Sequence, residues 1–197
     1  MLKKKELVIA TKNRGKVREI RHALKSLKLK VLSLLDEPGI PAVKETGRTF
    51  EENAVKKAKA VAKRFSALAL ADDSGLQVDA LKGLPGIRSA RFAGPKPTTE
   101  KLCGKLLRVM KGKVNRKARF VCVIAVADGK KVRTVKGVCG GRIIDRMKGK
   151  NGFGYDPVFM PNGYGRTFAQ MPLNLKNRIS HRGKALRKAR KLLRKFL

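Results

Sequence analysis

Two adjacent carboxylates in an overwhelmingly basic chain are the first residues whose types suggest chemistry. Asp72 and Asp73 sit in LADDSGLQV, residues 70–78, followed at once by Ser74 and Gly75. The chain has 49 Lys and Arg against 14 Asp and Glu, so paired acids enclosed by Ala, Leu and Val are not ordinary surface charge. Successive strand side chains point to opposite faces, so only one of the two can look into a site unless the strand ends there. The glycine two residues after Asp73 admits a turn, which favours carboxylates at a strand end beside a cleft in an α/β sheet. A loop carrying two solvated aspartates is the competing reading.

Three other groups have chemical potential. TKNRGK, residues 11–16, joins an apolar strand to a helical pattern, the arrangement in which amides at a helix start hold phosphate. Lys12, Arg14 and Lys16 add charge there and Asn13 an amide, although the stretch is neither a Walker A loop nor GxGxxG. A plain strand-to-helix connection would look similar. Residues 148–165, KGKNGFGYDPVFMPNGYG, hold Phe153, Tyr155 and Tyr164 in a chain with eight Phe, two Tyr and no Trp. An aromatic ring between glycines suits a flat ligand, while a cover over the core is the alternative for Phe153. His181 and Arg182 begin the final helical pattern, where anions are favoured. Two basic side chains there invite a ligand.

The elements that must position these groups follow from periodicity. Residues 6–10 and Leu29 to Leu35 read as strands, with a helix between them burying Val17, Ile20, Leu24 and Leu27. Thr49 and Glu52 have capping-box spacing and open a helix whose stripe is Phe50, Ala54, Ala58, Val61 and Phe65, with Lys56, Lys57, Lys59, Lys63 and Arg64 off it. Capping accounts for Glu52 and first-turn preference for Asn53. Short apolar runs, Leu68 to Ala71 and Leu76 to Leu81, flank the aspartates. A helix runs from Thr98 towards Gly112. Residues 118–127 and 131–138 form a hairpin around Asp128-Gly129, and a further short strand falls at 140–143. Ser180 caps a last helix burying Ala185, Ala189, Leu192, Leu193 and Phe196. No linker-like segment divides the 197 residues, which predicts one continuous domain.

An apolar fraction of 42% predicts a folded chain despite a formal charge of +35. No Asp or Glu follows Asp156, and the segment after residue 181 is densely basic, so nonspecific, salt-sensitive binding to polyanions or nucleic acid is expected. Cys103, Cys122 and Cys139 lack CxxC spacing and the histidines are only His22 and His181. Buried thiols in a reducing compartment are expected rather than a zinc site. The apolar run in MLKKKELVIAT is too short for a signal peptide or membrane span, and no later run is long enough. A cytoplasmic protein without membrane contact is the expectation.

Five blocks, VIATKNRGKVREI, ETGRTFEENAVKKA, ADDSGLQVDAL with GLPGIRSARFAG, NGFGYDPVF and KNRISHRGKAL, occur in this order across nearly the entire chain. Together they resemble the non-canonical purine nucleoside triphosphate pyrophosphatases, the Ham1-like family. The resemblance implies an α/β fold, an elongated mixed sheet with flanking helices and two lobes around a central cleft, as a single domain over residues 1–197 and as a homodimer. It implies Mg²⁺-dependent hydrolysis of inosine, deoxyinosine and xanthosine triphosphates to the monophosphate and pyrophosphate. Thr11, Lys12, Asn13, Arg14, Gly15 and Lys16 match the loop that embraces the triphosphate, and Lys57 a lysine that reaches phosphate. Glu45 and Asp73 match metal-binding carboxylates, with Asp73 the general base and Ser74 a substrate contact beside it. Asp72 is left to support the turn or the residues behind the metal. Phe153 matches the ring that stacks on the purine, with Gly154, Tyr155 and Asp156 completing that wall. Lys176, His181 and Arg182 match residues around base and phosphates, the last two at the 6-keto edge. Lys12 departs from the family's small residue, and Gln170, Asn174 and Leu175 replace a commonly acidic stretch. Two alternatives remain: a basic nucleic-acid-binding protein on the same scaffold, and a broader pyrophosphatase for modified nucleotides.

Overall fold

In the computed structural model, residues 6–27, 29–37 and 39–196 are described. Six strands form one mixed sheet in the order β2-β1-β3-β4-β5-β6. β1 (Glu6–Ile9) pairs in parallel with β2 (Lys30–Ser33) and with β3 (Leu68–Val78), Leu7 opposite Leu68 and Ile9 opposite Leu70. β4 (Lys117–Ala127) leads through a tight turn to β5 (Val132–Ile143), and β5 pairs antiparallel with β6 (Phe159–Pro161). The helices are α1 (Arg14–Leu24), α2 (Phe50–Phe65), α3 (Thr99–Val109), α4 (Leu173–Ile179) and α5 (His181–Leu193). Parallel neighbours with helical crossovers on one side and an antiparallel edge on the other make this a mixed α/β sheet with flanking helices.

The chain forms two compact units. The first takes residues up to Asp73, Cys122–Gly137 and everything from Arg182 onward; the second takes Ser74–Val121 and Val138–His181. In the first, Leu7, Ile9, Leu70, Cys122, Ile124 and Val126 of three strands pack against Ile20 and Leu24 of α1 and Ala185, Leu186, Ala189 and Leu193 of α5. The apolar stripe of each helix is thereby covered, as its 3.6-residue period requires. In the second, Leu76, Val78, Phe120, Cys139 and Phe159 pack against Leu102, Cys103, Leu106 and Met110 and against Phe168. All three cysteines are buried free thiols, and burial pushes the Cys103 and Cys122 thiols up to about 12.

Four expectations about elements are corrected. β3 does not end or turn at Gly75: it runs unbroken from Leu68 to Val78, taking in the aspartates and the apolar residues on both sides of them. Eight of its eleven positions, including both aspartates, are buried, so the strand is covered on both faces and needs no exit. The short strand expected at 140–143 is the far end of β5. β2 is shorter than Leu29 to Leu35. Lys57 lies inside the buried stripe of α2 rather than off it. No helix among the described residues is long and apolar enough to cross a membrane.

The β5–β6 pair leaves no room at Gly141, where a Cβ would stand 2.4 Å from the Met160 carbonyl oxygen and 2.6 Å from Phe159 Cζ. Backbone on the paired strand cannot step aside as a side-chain tip can. Gly141→Ala is expected to cost about 1–3 kcal/mol by overpacking, measured as a lower denaturation midpoint with the slope unchanged.

Candidate active site

The two aspartates of β3 face opposite ways, and each has its own counter-charges. On the side covered by α1 and α5, Asp72 is fully buried. Lys16 Nζ lies 3.1 Å from Asp72 Oδ2, and Arg182 Nε and Nη2 each donate to that oxygen at 3.2 Å. Arg182 Nη1 also donates to Glu19 Oε2 at 2.5 Å, with both side chains almost wholly inaccessible. Burial alone would raise the Asp72 carboxyl, but Lys16, Arg182 and Lys57 together outweigh it and hold it far below the ordinary range.

Asp73, one residue on, meets α2. Asn53 Nδ2 donates to Asp73 Oδ2 at 3.1 Å. Lys57 Nζ stands 3.5 Å from Asp73 Oδ1, donates to Glu45 Oε1 at 2.6 Å and to the Asp72 carbonyl at 2.7 Å. A single ammonium therefore gathers Glu45 and Asp73 from distant parts of the sequence. Burial raises the Asp73 carboxyl above the usual range, aided by Glu45 and Asp72 and opposed by Lys57 and Lys16. Glu45 is also partly buried, yet Lys57 and Lys16 outweigh that and lower it. Adjacent carboxyls on one strand are thus driven apart in acidity, one lowered by its cations and the other raised by burial.

The connection from β1 supplies the cationic rim. Asn13 caps α1, its Oδ1 accepting from Lys16 N at 3.0 Å, and Thr11 Oγ1 accepts from Asn13 N at 3.2 Å. These bonds fix the loop and leave amides at the start of a helix with no acid in its first turn, a setting that favours anions. Lys12, Gly15 and Lys16 are half-buried and Asn13 and Arg14 exposed. Lys16 belongs at once to this loop and to the ion pair with Asp72.

In the second unit, Lys176 Nζ donates to Asp156 Oδ2 at 2.5 Å, both side chains buried, and stands 5.0 Å from the centroid of half-buried Phe153. Asp156 Oδ2 also accepts from Phe153 N at 2.8 Å. Gly152, at φ +79°, is required here, because a Cβ would come within 2.1 Å of that same carboxylate oxygen. Gly154 N donates to Thr99 Oγ1, and the Tyr155 hydroxyl donates to the Ser89 carbonyl at 2.9 Å. His181 is stacked on Phe120, centroids 4.5 Å apart and planes 9° from parallel. Ser74 is half-buried in β3.

The chain matches the sequence profile of the Ham1 family over residues 7–192. It belongs to that family. It is 50% identical over 195 residues to a dITP/XTP pyrophosphatase of Desulforamulus reducens, covering 97% of this chain and 96% of the relative. Identity to the enzyme of the same name from Bacillus anthracis is 48% over 189 residues, 93% of this chain and 94% of the relative. The solved Ham1 protein of Staphylococcus aureus superposes with a TM-score of 0.85 at 39% identity, over 98% of this chain and all of that one. A HAM1 protein of Coxiella burnetii gives 0.87 at 39%, over 97% and 99%.

Within the Ham1 chain, the first unit brings Lys16, Glu45, Lys57, Asp73 and Arg182 into one charge network, and the second brings together Phe153, Asp156 and Lys176. Two assignments change. Asp72 supports no turn; it is the anion on which Lys16 and Arg182 converge. Arg182 needs no ligand to account for its place at the start of α5, because Asp72 and Glu19 answer it. Two residues were missed. Asn53 is buried, with Oδ1 accepting from Gly47 N at 2.8 Å while Nδ2 holds Asp73, so it ties the loop after Glu45 to the raised carboxyl. Its signal was its place four residues before Lys57 inside an apolar stripe, where a polar side chain requires a partner. Glu19 gave no more signal than being the lone acid on α1. Glu52 completes half of the expected capping box: Thr49 Oγ1 accepts from Glu52 N, but Glu52 Oε2 accepts from Arg48 N.

Asp72 titrates below its unfolded value, so its stabilisation is present above about pH 4 and lost as pH falls through the depressed folded value. Asp72→Asn should cost about 3–5 kcal/mol at neutral pH, since it leaves Lys16 and Arg182 without their buried anion. Urea unfolding at neutral and acid pH should show the gap between wild type and variant closing as pH drops. A gap independent of pH would contradict the pairing.

Proposed function

We propose that this protein hydrolyses non-canonical purine nucleoside triphosphates, deoxyinosine and xanthosine triphosphates among them, to the monophosphate and pyrophosphate. The observation that carries the reading is the buried Asp73, its carboxyl raised and fixed by Asn53, beside a lysine that also gathers Glu45. Relatives at 50% and 48% identity carry the name dITP/XTP pyrophosphatase.

In this reading Asp73 accepts the proton of the water that opens the α–β anhydride. Asn53 fixes one carboxylate oxygen, and the other lies 3.5 Å from Lys57 Nζ. Lys16 and Lys57 offset charge on the phosphates, and the capped start of α1, with Thr11, Lys12, Asn13, Arg14 and Gly15, receives the outer phosphates. Phe153 offers its half-exposed face to the purine, with Lys176, held by Asp156, beside it. Gly154, Tyr155 and Asp156 set the loop that presents this ring, and Ser74 follows the base along β3. The resemblance gives His181 and Arg182 the 6-keto edge. Because the Arg182 guanidinium lies on Asp72 and Glu19, we assign that contact to His181 and give Arg182 the task of holding Asp72 in place. A donor facing a 6-amino group would be left unsatisfied, which disfavours adenine.

Mg²⁺ suits the donors present. Among the described residues no group of three or more His, Cys, Asp or Glu is arranged to hold a metal, but Mg²⁺ takes one or two carboxylates and draws its other ligands from phosphates and water. Glu45 and Asp73, already converging on one cation in Lys57 Nζ, are such a pair. When bound, the ion would withdraw charge from the phosphoryl oxygens and acidify water. The homodimer and the cytoplasmic setting belong to the same proposal, and light scattering reads the first.

Incubation with inosine, xanthosine, guanosine and adenosine triphosphates and Mg²⁺ tests the reaction. Monophosphate and pyrophosphate from the first two are expected; diphosphate and orthophosphate would refute it. Lys12→Gly should raise KM for inosine triphosphate about tenfold with kcat retained, as removal of one charge-assisted hydrogen bond would do. An unchanged KM removes Lys12 from the phosphates.

A further inference from the structure

The outer face of α5 has no part in the chemistry above. Its inner stripe, Ala185, Leu186, Ala189 and Leu193, is buried in the core of the first unit. Its outer positions, Lys184, Arg187, Lys188 and Lys191, are exposed, as are Arg194 and Lys195 in the turn that follows it, and no Asp or Glu follows Asp156 anywhere in the chain. Cations recurring every three or four residues form a ridge along one side of the helix, about 5 Å apart at 1.5 Å per residue. The ridge extends sideways. Lys188 Nζ donates to the Lys136 carbonyl at 2.9 Å, joining it to exposed Lys136 on β5, and Arg190 Nη2 donates to Ser26 Oγ at 2.7 Å, joining it to exposed Lys25 just after α1.

We propose that this face of α5, with Lys136 and Lys25 at its margins, binds the phosphate backbone of duplex nucleic acid without reading sequence. Its charge complements a polymer with one phosphate charge per about 1.7 Å of duplex axis. The apolar side of α5 is consumed by the core, so the helix has nothing to insert into a lipid surface. The six exposed ridge positions carry no aromatic side chain on which unpaired bases could stack, and Phe196 packs against the core. Backbone contact to a duplex is the binding mode these features leave.

The test separates a located surface from diffuse charge. Anisotropy of a labelled duplex of about 20 base pairs is followed from about 50 to about 200 mM salt. The protein is compared with a ridge variant (Lys184→Gln, Arg187→Gln, Lys191→Gln, Arg194→Gln) and with a variant of equal charge change in the second unit (Lys101→Gln, Lys105→Gln, Lys111→Gln, Lys113→Gln). Melting curves and turnover verify that all three are folded. The ridge variant should bind about tenfold or more weakly, and its salt slope should fall by about 0.9 for every phosphate no longer neutralised. The control should weaken by less than about threefold with its slope retained. Equal weakening in both variants would overturn the proposal, as would tighter binding to phosphatidylserine vesicles than to duplex.

Discussion

Two neighbouring carboxylates buried in the middle of one strand are the constraint on which the first unit depends. Each would be costly alone in a low-dielectric interior. β3 points them to opposite faces, and each face supplies its own cations: Lys16 and Arg182 for Asp72, Lys57 for Asp73. Helices α1 and α5 are therefore bound to the sheet by charge as well as by their apolar stripes. α2 is bound to it by Asn53 and Lys57, two polar positions inside an otherwise apolar face.

The two sides differ in their charge balance, and the proposed function rests on that difference. Asp72 has two cations at about hydrogen-bond distance and stays an anion; it anchors. Asp73 has an amide, a lysine at 3.5 Å and two like charges nearby, and its carboxyl is raised. The imbalance that raises it is a local instability that the rest of the network sustains, and it is what the proposed role of Asp73 as base draws on. Lys16 spans both tasks, since it pairs with Asp72 and belongs to the loop proposed for phosphate.

Much of this was legible in the sequence where period and composition agree. The stripes of α1, α2 and α5, the Thr49 cap and the all-apolar run of β4 follow directly from local rules. Gly75 misled because a glycine after two acids reads as a turn, whereas β3 is covered on both faces and continues through it. Lys57 misled for the opposite reason: a lysine is ordinarily solvated, and only three long-range acceptors, Glu45, Asp73 and the Asp72 carbonyl, make it an interior residue. Asn53 and Glu19 were hidden because their partners lie 20 and 163 residues away. Sequence spacing alone carries no record of such contacts. The five ordered blocks identified the family, but the division of labour between the aspartates became visible only in three dimensions.

The most direct test replaces Asp73 with Asn and measures turnover and melting temperature on the same preparation. A raised carboxyl costs stability as pH climbs through its folded value, so a neutral isostere removes that cost while removing the proposed base. If Asp73 is the base, kcat falls by about 10²- to 10⁴-fold while the melting temperature at neutral pH is not lowered. Turnover close to wild type, in a variant of undiminished stability, would contradict it.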